Sequence, residues 1–244
     1  MNDARDGITI NHACPHHGWS RDAEGGRGVG TRFDTSEGLE RDMGITLAGS
    51  VLRTGGLVVA PADSAYAVVT DAFSSTGVAA IAAAKGRARE VPLTVLVSGA
   101  VQLPGLTTAL SDDAYALVEA FWPGGLTLIA RQQPTLVWDI GDTRATVSVR
   151  MPRDTALREV IDEIGPLAST SANRAGLPLP RTVAEAETAL GDAVQVYLDG
   201  GPIADAVPST IVDVTGAVPV VLRVGSLDLD RIREVVSGVV VAEP

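Results

Sequence analysis

Apolar positions along the chain fall into short blocks that switch between helical and strand spacing. From Ile45 to Leu52 they recur at helical intervals and stop at Gly55-Gly56. Leu57 to Ala60 is an unbroken apolar run closed by Pro61, the pattern of a buried strand, and a second strand starts near Ala65. Ser74 is placed to cap a helix through Val78, Ile81 and Ala84 that ends at Gly86. Leu93 to Val97 reads as a strand and Asp112 to Phe121 as a helix stopped by Pro123-Gly124-Gly125, with strand Leu126 to Ala130 following. The second half continues with strand Thr146 to Val149, a capped helix from Asp154 to Ile164, and a short strand from Leu167 to Ser169. Helix Thr182 to Leu190 and strand Val194 to Leu198 come next. Ile211 to Val214 and Val218 to Leu222 form a hairpin around Thr215-Gly216-Ala217, and Asp228 to Val236 is the last helix. Hairpins mixed with crossovers predict an α/β fold of one domain, with a mixed β-sheet flanked by helices. Residues 1–30 carry no apolar period and are expected to be a disordered tail. The domain then spans 31–237, with 238–244 a C-terminal tail.

Composition narrows the function classes. Of 244 residues 45% are apolar and only 4% aromatic, so the core must be built from Val, Leu, Ile and Ala. The net charge of −11 disfavours a broad nucleic-acid groove, whose affinity comes from bases neutralising phosphates. No apolar run of about 18 residues is present and none follows the first residues, so neither a membrane span nor a secretory signal is expected. A cytoplasmic protein is the expectation. One cysteine excludes an intramolecular disulfide and an all-cysteine zinc site. His12, Cys14, His16 and His17 sit together and suit a metal, but their Gly-rich, charged surroundings equally suit a tail without fixed geometry. Beyond residue 17 there is no histidine or cysteine, which excludes a Ser-His-Asp or Cys-His hydrolase from the domain.

Four polar clusters fall at the ends of the expected elements. Lys85 is the single lysine against eighteen arginines, in Lys85-Gly86-Arg87-Ala88-Arg89. This stretch reads either as helix-end charge complementing the dipole or as an anion site. Ser169 to Asn173 supplies hydroxyls and an amide that either cap a turn or cradle a phosphate or ribose. Thr146 and Arg150 lie four apart on one strand and so share a face. Pro208-Ser209-Thr210 precedes Arg223 on the next strand of the hairpin. Together these groups suit polyanion binding and catalysis by positioning and charge stabilisation, as in phosphoryl or adenylyl transfer.

The segments 57–66, 84–93, 121–128, 171–176, 208–213 and 222–225 resemble, in order, the YrdC/YciO family of threonylcarbamoyl-adenylate synthases and their paralogs. The Lys-x-Arg at 85–87 and Ser-x-Asn at 171–173 are its signature. The resemblance covers roughly residues 33–237. It implies a three-layer fold around a twisted mixed sheet with a basic concave site. It also implies an enzyme joining L-threonine, bicarbonate and ATP, with Mg2+, into threonylcarbamoyl-AMP and pyrophosphate. Partner transferases then place the threonylcarbamoyl group on the adenosine beside the anticodon of ANN-decoding tRNAs. By that resemblance Lys85, Arg87, Thr146, Ser171, Asn173 and Arg223 would contact ATP or the adenylate. Ser64, Arg150, Ser169 and Ser209 would lie near the threonine or carbamate. Lys85 and Arg87 are the expected catalytic pair.

The chain departs from the family pattern around the amino-acid half. Ala62 stands for a threonine, Ser64 for a threonine, and Ala67 and Val69 for glycines, which predicts a narrower pocket that Ala67→Gly and Val69→Gly would widen. Ala88 stands where many members have proline, and Ala175 where serine is usual. A paralog that binds a nucleotide or adenylates another amine is therefore the alternative. A non-catalytic module binding tRNA or double-stranded RNA weakly is a third reading, opposed by the net charge.

Overall fold

The strands that build the sheet alternate two apolar faces, and each face recruits its own helices. A computed structural model describes residues 30–242 apart from Ala109 and Asp205, so the His12–His17 cluster lies outside the described residues. In chain order the first elements are β1 (Thr31–Asp34), α1 (Leu39–Arg53), β2 (Val58–Pro61), β3 (Tyr66–Asp71), α2 (Ser75–Lys85) and β4 (Thr94–Leu96). Then follow α3 (Leu103–Leu106), β5 (Thr107–Thr108), α4 (Asp112–Phe121), β6 (Leu126–Gln132), β7 (Thr146–Arg150), α5 (Thr155–Ile164) and β8 (Leu167–Ser171). The chain closes with α6 (Val183–Leu190), β9 (Val196–Asp199), β10 (Thr210–Asp213), β11 (Val220–Arg223), α7 (Leu229–Val235) and β12 (Val240–Val241).

Among the described residues these strands form one mixed sheet of twelve, ordered β1-β9-β2-β3-β8-β4-β7-β6-β10-β11-β12, with β5 against β6. The pleat sorts the core. Val59, Tyr66 and Val68 face a large cluster with Val78, Ile81, Leu117, Ala186 and Ile232 of α2, α4, α6 and α7. Val58, Ala60, Ala67 and Val69 face a smaller one with Ala48 and Leu52 of α1 and Leu157 and Ile161 of α5. Helices on both faces give three layers, as expected for an α/β fold.

Local chemistry fixes the helix ends. Ser74 accepts the Gly77 N–H at 3.1 Å, Ser111 the Ala114 N–H at 3.2 Å and Asp154 the Leu157 N–H at 2.8 Å. Gly86 closes α2 with φ +62°. Helix α1 begins at Leu39, earlier than its apolar period indicates, because its first turns are solvated and held by the Arg41–Glu159 pair at 2.6 Å. Val240–Val241 pair parallel to β11, so the stretch read as a C-terminal tail supplies an edge strand. Strand β8 extends to Ser171, because its polar end pairs with Ala67. No helix among the described residues is long and apolar enough to cross a membrane.

Candidate active site

Register on the central strands sets one row of polar side chains beside another. Ser171 lies opposite Ala67, Thr94 opposite both Ser169 and Ser148, and Leu96 opposite Arg150. Directly paired residues point to the same side of a sheet, so this polar row shares the face that α1 and α5 cover further along. A cavity of about 280 Å³ opens there. It is lined by Ser64, Arg150, Ser169, Ser171, Ser209 and Arg223, six residues drawn from five separate stretches of sequence. Thr94, Thr127, Thr170, Tyr66 and Ala67 are also part of the wall.

The two guanidinium groups are held differently. Arg150 is buried, donating from Nε to Gly124 O at 2.9 Å and from Nη2 to Asp63 Oδ2 at 2.7 Å. Burial lowers its pKa, and the charge of Asp63 works against that shift. Arg223 donates from Nε and Nη2 to Ser209 O at 3.0 and 2.8 Å, and from Nη2 to Ser209 Oγ at 3.2 Å. Thr127 Oγ1 also donates to Ser209 Oγ at 2.8 Å. With acceptor positions taken by Thr127 and Arg223, the Ser209 hydroxyl proton is left to point at a ligand oxygen.

Lys85, Arg87, Asn173 and Thr146 do not line this cavity. The Lys85 ammonium is buried behind it and donates to Ser171 O, to Asn173 O at 2.6 Å and to Asn173 Oδ1 at 3.1 Å. Three donors on three acceptors use the whole ammonium. Burial, with a smaller contribution from the Arg87 charge, lowers its pKa from 10.5 to about 8. Arg87 Nη1 donates to Thr170 Oγ1 at 3.0 Å, and its Nη2 grips Val91 O and Pro92 O at 2.6 and 3.1 Å. Asn173 Nδ2 donates to Leu177 O at 2.6 Å. Lys85, Arg87 and Asn173 thus form a buttress that shapes the Thr170–Asn173 wall from behind, and of the signature residues only Ser171 lines the cavity. Thr146 shares the face of Arg150, as its spacing predicts, but its hydroxyl closes its own turn on Thr143 O at 2.6 Å.

Thr94, Thr127 and Asp63 escape a sequence reading, whereas Thr170 falls inside the Ser169–Asn173 cluster. Thr94 and Thr127 stand in apolar strands, where threonine is an ordinary strand former. The only cue for Thr127 is that its neighbours Leu126 and Leu128 alternate with it.

One expectation is corrected. Ala67 borders the cavity, but Val69 is fully buried in the cluster with Leu96 and Leu167 and does not line it. Val69→Gly is therefore expected to lower unfolding free energy by about 2–4 kcal/mol through a cavity and a flexible strand residue. Denaturant unfolding checks this. Ala67→Gly alone should widen the pocket.

Three comparisons bear on this geometry. The sequence model of the Sua5/YciO/YrdC family, described as telomere recombination, matches residues 50–225. A Mycobacterium tuberculosis protein, provisionally named threonylcarbamoyl-AMP synthase, is 45% identical over 203 residues, 83% of this chain and 94% of that one. The threonylcarbamoyl-AMP synthase of Bacillus subtilis is 32% identical over 207 residues, 84% of this chain and 60% of its own. Pyrococcus abyssi Sua5, solved in complex with L-threonine, matches with a TM-score of 0.81 at 30% identity over 87% of this chain. This chain spans 62% of that structure. E. coli YciO shares the fold, with a TM-score of 0.73 at 22% identity over 83% of this chain and 99% of its own. With its three-layer mixed sheet and the family match over residues 50–225, the chain belongs to the Sua5/YciO/YrdC family.

Proposed function

We propose that the protein is an L-threonylcarbamoyladenylate synthase, a nucleotidyltransferase that joins L-threonine, bicarbonate and ATP and releases pyrophosphate. The observation that carries this reading is the single cavity uniting two guanidinium groups, Arg150 and Arg223, with the hydroxyls of Ser64, Ser169, Ser171 and Ser209. Two cations and a row of small neutral hydroxyls, of which Ser169 Oγ donates to Thr94 O at 2.9 Å and Ser171 Oγ to Asn173 Oδ1 at 2.5 Å, suit a site that must hold a carboxylate and a phosphate chain together.

The chemistry needs no histidine. The threonine amine combines with bicarbonate to give an N-carboxy carbamate and water. A carbamate oxygen, already anionic, attacks the α-phosphorus of ATP, and the bond to the β-phosphate oxygen breaks to release pyrophosphate. The attacking group is not a side chain, so no activated nucleophile is required of the protein. Its part is to align carbamate and α-phosphate and to oppose the charge that builds on the phosphoryl oxygens. In this reading Arg150 and the neighbouring serines hold the amino acid, and Arg223 with Ser209 faces the phosphates. Lys85, Arg87 and Asn173 set the shape of the nucleotide wall.

No group of three or more His, Cys, Asp or Glu side chains that could hold a metal ion occurs among the described residues. Mg2+ therefore fits as a passenger on the ATP phosphates, without a dedicated protein cage, which is how this ion is commonly held at nucleotide sites. The product would pass to a tRNA-modifying threonylcarbamoyl transferase, and the protein would act in the cytoplasm.

The test is pyrophosphate release from ATP and bicarbonate, with and without L-threonine, together with the mass of the adenylate formed. Threonine-dependent release with the threonylcarbamoyl-AMP mass is the expected result. ATP binding without threonine-dependent turnover would replace this reading by a paralog acting on another amine.

A further inference from the structure

The turn between β2 and β3 holds a residue that the functional reading leaves unused. Asp63 has φ +63°, a left-handed backbone that few non-glycine residues adopt and that Asp and Asn tolerate best. Such strain persists where the surroundings over-determine the conformation. Here both carboxylate oxygens are committed. Oδ2 accepts from Arg150 Nη2 at 2.7 Å, and Oδ1 accepts from the backbone N–H of Arg153 at 3.0 Å. The ion pair is enclosed, with side-chain exposures of 8% for Arg150 and 12% for Asp63.

Arg150 has five N–H donors. Among the described residues Gly124 O and Asp63 Oδ2 take two of them. The other three have no hydrogen-bond partner among the described residues, and Arg150 is part of the cavity wall. Without Asp63 a single carbonyl would hold the guanidinium, which could then rotate about Nε, and its buried charge would lack a counter-charge. A bidentate contact depends on the plane of the fork as much as on its charge.

We propose that Asp63 is a positioning residue for the amino-acid substrate. It fixes the plane of Arg150 so that the free edge of the guanidinium meets the anionic end of that substrate, an inference that rests on the function proposed above. Asparagine is the informative replacement because it keeps the shape and tolerates the left-handed backbone. It has one acceptor oxygen in place of two, so it cannot serve both Arg150 and the Arg153 N–H.

The experiment is a double-mutant cycle of Asp63→Asn with Arg150→Met, reading KM for L-threonine, KM for ATP and kcat. Asp63→Asn is expected to raise KM for threonine about ten- to hundredfold, the loss of one well-placed charged hydrogen bond. KM for ATP should stay within about threefold, and the Arg150→Met background should show no further rise in threonine KM. Equal effects on both substrates, an unchanged threonine KM, or the same rise without Arg150 would overturn the proposal. Should Asp63→Asn not fold, Asp63→Glu, which keeps the charge but displaces the carboxylate, carries the same cycle. A wild-type protein without threonine-dependent turnover would remove the functional reading instead. Asp63 is then decided by the Arg150 Nε–H signal in 15N NMR. A shift or broadening in Asp63→Asn supports the fixing of Arg150, and an unchanged signal refutes it.

Discussion

Replacing Lys85 by alanine is expected to abolish turnover, by roughly a hundredfold or more, although its ammonium does not reach the cavity. The reason is mechanical. Lys85 joins the end of α2 to Ser171 and Asn173, and Ser171 lines the site. Removing it takes the ammonium donor from Ser171 O and Asn173 O and leaves Asn173 Oδ1 with the Ser171 hydroxyl at 2.5 Å, and a displacement of about 1 Å at a reacting centre suffices for a loss of that size. Unfolding free energy should fall as well, by about 2–5 kcal/mol. Initial rates with chemical denaturation of the same variant check both. Wild-type turnover with Lys85 absent would mean that the buttress is not needed.

Lys85 also gives a pH dependence whose sign is fixed. Its folded pKa, about 8, lies below its ordinary value of 10.5. Above about pH 8 the neutral amine has two hydrogens for three acceptors, so turnover should decline through that pH. Stability moves the other way. Between about 8 and 10.5 the unfolded chain binds more protons at this group than the folded chain, so the contribution of Lys85 to stability rises with pH. A pH–rate profile alongside unfolding at matched pH separates the two trends.

Gly225→Ala is the second large effect expected, and it acts through space rather than chemistry. A Cβ at Gly225 would lie 2.1 Å from Pro208 O and 2.7 Å from the carbonyl carbon and oxygen of Ser209, all of them backbone atoms that no side-chain rotation can move. The chain must come this close because Ser226 N donates to Pro208 O at 2.9 Å and Gly225 N to Thr210 Oγ1 at 2.9 Å. Relieving the overlap requires β11 and the Pro208–Ser209 segment to separate, which carries Arg223 away from Ser209. Overpacking of this kind costs about 1–3 kcal/mol. The larger effect should be on nucleotide affinity, because the Arg223–Ser209 pair borders the cavity. Isothermal titration with a non-hydrolysable ATP analogue on the folded variant is the measurement. Wild-type affinity would show that the Arg223–Ser209 contact is not part of the nucleotide wall.

Element type was legible wherever period and caps agreed. Helix Asp112–Phe121 matches its reading residue for residue, because Ser111 supplies the cap and Pro123 with two glycines supplies the stop. The start of α1 was not legible, since its first turns are solvated and carry no apolar period. Neither was β12, two exposed valines whose pairing with β11 is a long-range event.

The sequence by itself determined the α/β class, the positions of most helix ends, the absence of a histidine-based mechanism from the domain, and the set of Lys, Arg, Ser and Asn from which a site must be built. These follow from local rules, in which period, capping and composition act within a few residues of each other. Only the tertiary structure decided which of those residues meet. Strand register brings Ala67, Ser169, Ser171, Thr94 and Arg150 onto one face, joining segments that are tens of residues apart. Packing then divides the set into groups with free donors at the cavity, such as Arg150, and groups whose donors are spent behind it, such as Lys85. Burial and hydrogen-bond partners make that division, and neither is written in spacing along the chain.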